Sequence, residues 1–113
     1  MNRLVAAVTE RGMQIMARID QAGATAKAGM ELRPTEVVLF GNPKAGAPLM
    51  QAVQTIAIDL PLKALVWQDA DGKTWLAYND PAWIARRHHI PAGMERTLVA
   101  MSDALAAVAK AAT

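Results

Sequence analysis

The chain contains no cysteine. Disulfides, thiolate nucleophiles, iron–sulfur clusters and cysteine-ligated zinc are thereby excluded together, a pattern that fits a reducing compartment. Aromatic residues are scarce, with three Trp, one Tyr and one Phe. Two adjacent histidines, His88 and His89, and one serine, Ser102, leave little material for a nucleophile and its base. Charge of one sign is also lacking: the formal net charge is +2, and no block of like charges occurs. Nucleic-acid recognition needs positive charge clustered on one face. Here Arg86-Arg87 is the only adjacent basic pair, so no nucleic-acid partner is expected. No stretch approaches the ~20 apolar residues of a membrane span. The apolar run Leu4-Val5-Ala6-Ala7-Val8 stops at Thr9-Glu10-Arg11, short of the ~7–15 residues of a signal-peptide core. The expectation is a cytoplasmic protein with no membrane partner.

What is present suits a packed globule. Hydrophobic residues make up 53% of the chain and charged residues 19%, which argues against disorder. A chain of 113 residues leaves no room for two independent cores, so residues 1–113 read as a single domain.

Periodicity gives the order of elements. Leu4, Val5 and Val8 mark a first helix, with Asn2 as its cap and Gly12 as its stop. Met13, Ile15, Ala17 and Ile19 alternate with mostly polar neighbours, the pattern of a half-buried strand. Asp20 caps a short alanine-rich helix that ends by Gly29. After Arg33-Pro34, the run Val37-Val38-Leu39-Phe40 predicts a strand buried on both faces. Leu49, Val53 and Ile56 then fit a helix starting near Ala47-Pro48. Leu62–Gln68 and Thr74–Tyr78 flank an Asp-Gly turn and read as a hairpin. Asp80-Pro81 opens a helix through Trp83 to His88, and a last helix from about Gly93 carries the stripe Met94, Leu98, Met101, Leu105 and Val108. The hairpin argues against a purely parallel sheet. The fold class is therefore α+β: a mostly antiparallel, or mixed, sheet with helices packed on one face in two layers.

The most informative stretch is Phe40-Gly41-Asn42-Pro43-Lys44-Ala45-Gly46, where a strand hands over to a helix. Free N–H groups at a helix start favour negative charge, and glycine lets a ligand approach the backbone. Gly41, Asn42, Lys44 and Gly46, with His88, are accordingly candidate contacts for a small anionic or other ligand. A nucleotide phosphate loop needs Lys and Ser/Thr directly after the second glycine, and Ala47-Pro48 stands there instead. The competing reading is turn chemistry, with Gly41 and Gly46 in unusual backbone angles.

The remaining groups carry less. His88 and His89 point about 100° apart if helical and show no metal-ligand spacing, which favours capping or packing. Asp20, Asp59 and Asp80 fall at element boundaries, where aspartate caps. The tryptophans and Tyr78 around the hairpin suggest core more than a stacking platform. No catalytic set, metal site or cofactor is assigned.

Taken together, Glu31-Leu32-Arg33-Pro34-Thr35-Glu36, the Phe40–Gly46 stretch, Asp59-Leu60-Pro61-Leu62-Lys63 and Tyr78-Asn79-Asp80-Pro81 resemble the DUF302 family. The resemblance implies a compact α+β fold, an antiparallel sheet backed by helices, and homodimers. It matches His88 to a histidine of the family's Arg-His pair. It also marks two departures: Asp20-Gln21 stands where the family commonly has Asp-His, and the strand usual before the first helix is not seen. Either the start is trimmed, or the sheet loses an edge strand and exposes hydrogen-bonding groups for a partner to cover. The functional expectation is a ligand-binding module at Gly41–Gly46, then a homodimeric interaction protein, then an undescribed enzyme.

Overall fold

The structure is a computed structural model that describes residues 1–113. Helix α1 (Asn2–Glu10) leads into β1 (Gln14–Asp20), α2 (Gln21–Lys27), β2 (Thr35–Gly41) and α3 (Pro43–Ala52). A 3₁₀ segment (Gln54–Asp59) follows, then the hairpin β3 (Leu62–Gln68) and β4 (Thr74–Tyr78), and helices α4 (Pro81–Arg87) and α5 (Glu95–Ala112). The four strands form one sheet in the order β1-β2-β3-β4, antiparallel throughout. This is the expected α+β class.

Directly opposed residues on neighbouring strands share a face, and the register sorts the sheet into two unlike sides. One side carries Val38 and Phe40 of β2 with Leu62 and Ala64 of β3, all buried. Leu4 and Val8 of α1, Leu49 of α3, Ile84 of α4, and Met101, Leu105 and Val108 of α5 close over it as one core. Phe40 is fully buried, contributing about 2–3 kcal/mol by transfer of its ring from water. On the other side, the centre is the row Ile19, Val37, Leu65 and Ala77. None of that row joins the core.

Several elements depart from the sequence expectation. The β2 strand is buried on one face only, because Val37 and Leu39 keep part of their surface. The β1 alternation is broken by a register shift between Ile15 and Ala17. Ile15 packs against the core, while Ile19 lies on the opposite side and is 40% exposed. A bulge adds a residue to one strand and resets which face its neighbours occupy, an irregularity that residue alternation does not announce. Helix α3 starts at Pro43, with Asn42 as N-cap and Pro48 inside it. Val53 ends that helix, and Ile56 belongs to the 3₁₀ segment. Met1, not Asn2, is the N-cap of α1. The aromatic groups near the hairpin are not core: Trp75, Tyr78 and Trp83 are exposed.

The hairpin bounds match expectation, and so do the caps of two helices. Asp20 accepts from Gly23 N–H at 2.9 Å and Asp80 from Ala82 N–H at 2.9 Å. Gly12 has φ +76°, the left-handed angle suited to the chain reversal after α1.

Candidate functional site

The Gly41–Gly46 stretch is the last residue of β2 and the first turn of α3. Neither Gly41 nor Gly46 takes a positive φ, so the expected unusual glycine angles are absent. Asn42 explains the turn instead: its side-chain oxygen accepts from Lys44 N–H at 3.0 Å. Its carbonyl accepts from Ala45 N–H at 2.9 Å and Gly46 N–H at 3.0 Å. The donors that an anion would need at this helix start are therefore engaged within the turn.

Beside the turn lies a cleft of about 230 Å³. Gly41, Asn42, Pro43, Ala45 and Gly46 form its rim, while Leu60, Pro61 and Leu62 line the side toward β3. Three methionines complete it, from three elements: Met16 of β1, Met50 of α3 and Met101 of α5. Met16 falls within the β1 register shift, which explains how an exposed residue of an edge strand comes to line a cleft with Met101, a residue of the core. No charged side chain lines the cleft. The two glycines leave room at the rim. A Cβ on Gly46 would meet Leu60 Cδ1 at 3.7 Å and Met50 Cε at 3.8 Å, and one on Gly41 would meet Pro61 Cβ at 3.8 Å.

The candidate residues thus divide. Gly41, Asn42 and Gly46 meet at the cleft, whereas Lys44 and His88 are not among its lining. His88 instead belongs to a second cluster, between the 3₁₀ segment and the end of α4. Its Nε2–H donates to Asp59 Oδ2 at 2.5 Å. Arg87 Nη1 donates to both Asp59 oxygens, at 2.9 and 3.1 Å. Thr55 Oγ1 lies 3.5 Å from His88 Nδ1, at the outer limit of a hydrogen bond. The Asp59 and His88 side chains are 9% and 8% exposed, and Arg87 is 47% exposed. Asp59 is therefore an ion-pair anchor, not the cap expected from its boundary position.

Chemically, the second cluster holds a carboxylate, an imidazole and a hydroxyl in series. It ties the 3₁₀ segment to α4. The residues missed from sequence are Met16, Met50 and Met101, whose approach depends on tertiary packing. Arg87 was missed because its partner Asp59 lies 28 residues away; the Arg-His adjacency was the available signal.

A third polar arrangement organises the hairpin turn. Asp69 accepts from Asp71 N–H and Lys73 N–H, each at 2.9 Å, and from Trp75 Nε1–H at 2.8 Å. The Trp75 indole bond, reinforced by the Lys73 backbone bond, holds the Asp69 carboxyl below its ordinary pKa. On the sheet surface, Arg18 donates to Glu36 at 2.8 Å, and that bond raises the Arg18 pKa above its ordinary value.

Comparison with known proteins gives the chain's relations. The model of a family described as "Domain of unknown function DUF302" matches residues 1–108. Two relatives named Fluoride-specific ion channel FluC 1, from Brucella suis biovar 1 (strain 1330) and Brucella abortus biovar 1 (strain 9-941), are each 42% identical over 108 residues. The match covers 96% of this chain but 42% and 40% of those relatives, so the chain spans about two fifths of their length. The crystal structure of an uncharacterized conserved DUF302 protein from Bacillus stearothermophilus superposes with a TM-score of 0.86 at 17% identity. It covers 99% of this chain and 87% of that one, a likeness of fold.

Proposed function

The chain belongs to the DUF302 family, and from that premise we propose that it is a small-ligand-binding module whose site is the cleft rimmed by Gly41–Gly46. The observation that carries this reading is an uncharged cleft of about 230 Å³ bounded by a glycine-bearing turn. Sites for drug-sized molecules run to ~300–1,000 Å³, while a ~150 Å³ apolar cavity accepts benzene. The ligand in this proposal is therefore small: one ring or a short branched chain. The Asn42 side-chain oxygen is committed to Lys44 N–H, which leaves its amide NH₂ to orient a ligand oxygen. Methionine walls suit such a ligand because the thioether is polarizable and adapts to irregular shapes. An anion is the weaker form of the proposal, since the donors of the turn are engaged.

A thermal-shift and ligand-observed NMR screen with phenol, indole, butanol and inorganic phosphate tests the reading, repeated on Gly46→Leu and Lys44→Ala. The expected result is a neutral hit that weakens at least ~10-fold in Gly46→Leu, which fills the cleft, and is unchanged in Lys44→Ala. Phosphate binding abolished by Lys44→Ala supports the anion form. Neutral hits indifferent to Gly46→Leu overturn the cleft as the site.

The Brucella relatives favour a second reading. Their name assigns them fluoride conduction, and this chain matches only part of their length. No helix here is long and apolar enough to cross a membrane. In this reading the module works beside a channel and contributes no pore. Co-purification of the chain with a fluoride channel from the same cell supports it, and unchanged fluoride efflux on deletion of the chain counts against it. A cytoplasmic location and a homodimer belong to the same proposal.

A further inference from the structure

The hydroxyl, imidazole and carboxylate of Thr55, His88 and Asp59 run in order from water to the interior. Thr55 is exposed, while the His88 and Asp59 side chains are buried. An ionised carboxylate only accepts, so the His88 nitrogen facing Asp59, Nε2, carries the proton of the neutral ring. Nδ1 then keeps its lone pair, and Thr55 Oγ1 is the group that faces it, at 3.5 Å. The direction of that hydroxyl sets Thr55 apart. The hydroxyls of Thr9 and Thr113 turn back onto carbonyls four residues earlier, Val5 O at 2.8 Å and Ala109 O at 2.9 Å. That is the usual habit of threonine in a helix. Thr55 is turned to the imidazole instead. The link between the 3₁₀ segment and α4 does not need it, because Asp59 already binds both Arg87 and His88.

We propose that Thr55 is a nucleophile, with His88 Nδ1 as its general base, for taking short uncharged acyl groups from activated esters. A hydroxyl beside a base that a third group orients is the signature of such a nucleophile. The 3.5 Å contact is long for a hydrogen bond, as catalytic contacts often are before substrate tightens them. Asp59 is a positioning residue: it fixes the ring's tautomer and steadies the imidazolium that forms. In the first half-reaction Thr55 Oγ bonds to the acyl carbon as its proton passes to Nδ1. The bond from that carbon to the leaving oxygen breaks, and Nδ1 returns the proton to that oxygen. Water then gives a proton to Nδ1, bonds to the acyl carbon and releases Thr55, which recovers the proton. The sum is ester plus water giving acid plus alcohol. The acyl class follows from the neighbours. Side chains three residues apart eclipse on a 3₁₀ helix, so Ile58, 66% exposed, stands beside Thr55. The Arg87 charge is engaged by Asp59 at the Nε2 end of the ring, which disfavours an anionic acyl group at the Nδ1 end. This site shares no residue with the Gly41–Gly46 cleft, so it stands or falls apart from ligand binding there.

The test gives p-nitrophenyl acetate and p-nitrophenyl butyrate to the whole chain, reading nitrophenolate release and the acylated residue by peptide mass spectrometry. Thr55 should be acylated at least ~100-fold faster than Thr9 or Thr35, whose hydroxyls are bonded to backbone carbonyls. Thr55→Ala, at an exposed position that leaves the fold intact, should abolish the adduct and lower release, and Thr55→Ser should retain both. His89→Asn controls for a surface imidazole acting alone; asparagine tolerates the φ of 53° there, and the rate should not change. The ¹⁵N shifts of His88 report the tautomer without any substrate, and should show Nε2 protonated and Nδ1 bare. In Asp59→Asn, Arg87 keeps the amide oxygen and the NH₂ faces Nε2, so the ring proton should move to Nδ1 and acylation should fall at least ~100-fold. Labelling of Thr55 no faster than Thr9 and Thr35 overturns the proposal. So does release that survives Thr55→Ala unchanged, release lost in His89→Asn, or a wild-type His88 protonated at Nδ1 alone.

Discussion

Replacing Asp59 by Ala tests how the 3₁₀ segment is held to α4. Asp59 and His88 are almost fully enclosed, whereas Arg87 keeps about half its side chain in water. Removing the carboxylate strands the His88 Nε2–H in a buried site, which costs ~1–3 kcal/mol. The freed Arg87 guanidinium is rehydrated, so its share is that of a surface pair, below ~1 kcal/mol. The total spans about 1–4 kcal/mol, and its middle, about 2–3 kcal/mol, falls short of the ~3–5 kcal/mol for breaking a fully buried ion pair. For 113 residues at ~2.1 cal/mol/K per residue, that loss lowers Tm by about 8–12 °C. Arg87→Ala leaves Asp59 Oδ1 without its partner but opens that side to water, so it should cost less, about 1–2 kcal/mol or roughly 4–8 °C. Urea titration and calorimetry on both variants, with unchanged m-values, give the comparison. Equal losses for Asp59→Ala and Arg87→Ala would refute the reasoning, because they would mean that the exposed arginine, not the buried imidazole, dominates the cluster.

Two more expectations concern the hairpin. The Asp69 carboxyl has a depressed pKa in the folded chain, so its contribution is present above its ordinary value of 3.8 and is lost as pH falls through the lower folded value. Acidification below about pH 4 should loosen the turn and alter Trp75 fluorescence, and Asp69→Asn should remove that pH dependence. Gly72 has φ +80° in the same turn, and the nearest atom to a Cβ there is Gln68 Nε2 at 4.0 Å. Gly72→Ala therefore meets backbone strain without a clash, costing ~1–2 kcal/mol by denaturant titration; a change within ~0.3 kcal/mol would show that the turn relaxes around the side chain.

Local chemistry was legible where one residue decides the outcome. Asp-Gly fixed the hairpin, and Asp20 and Asp80 fixed helix starts, because turn angles and caps are written within a few residues. The stripe on α5 was legible for the same reason, and Met101, Leu105 and Val108 are buried. Burial of β2 was not. Val37-Val38-Leu39-Phe40 reads as doubly buried, but whether the second face is covered depends on where distant helices land. The candidate site was legible in part. Gly41, Asn42 and Gly46 meet at the cleft, but the turn closes its own donors through Asn42, and His88 is drawn to Asp59. The Asn42 cap is local, but the His88 partnership has no sequence spacing that marks it, since Asp59 and His88 lie 29 residues apart.

The two clusters are also mechanically joined. Asp59 is followed at once by Leu60 and Pro61, which line the cleft, and by Leu62, which enters both the cleft and the core. One end of this cleft wall is pinned by Arg87 and His88 through Asp59, and the other by pairing of Leu62 with Phe40. A rigid wall requires both restraints, because a loop held at one end alone samples a wider range of positions and loses affinity through ordering on binding. The Asp59-Leu60-Pro61-Leu62-Lys63 stretch and the Phe40–Gly46 turn, separate in sequence, are therefore opposite sides of one cleft. In the ligand-binding reading, Asp59→Ala should weaken a cleft ligand without touching it. That loss should be matched by faster hydrogen exchange at Leu60 and Leu62, and an affinity that stays constant while exchange rises would separate the anchor from the site.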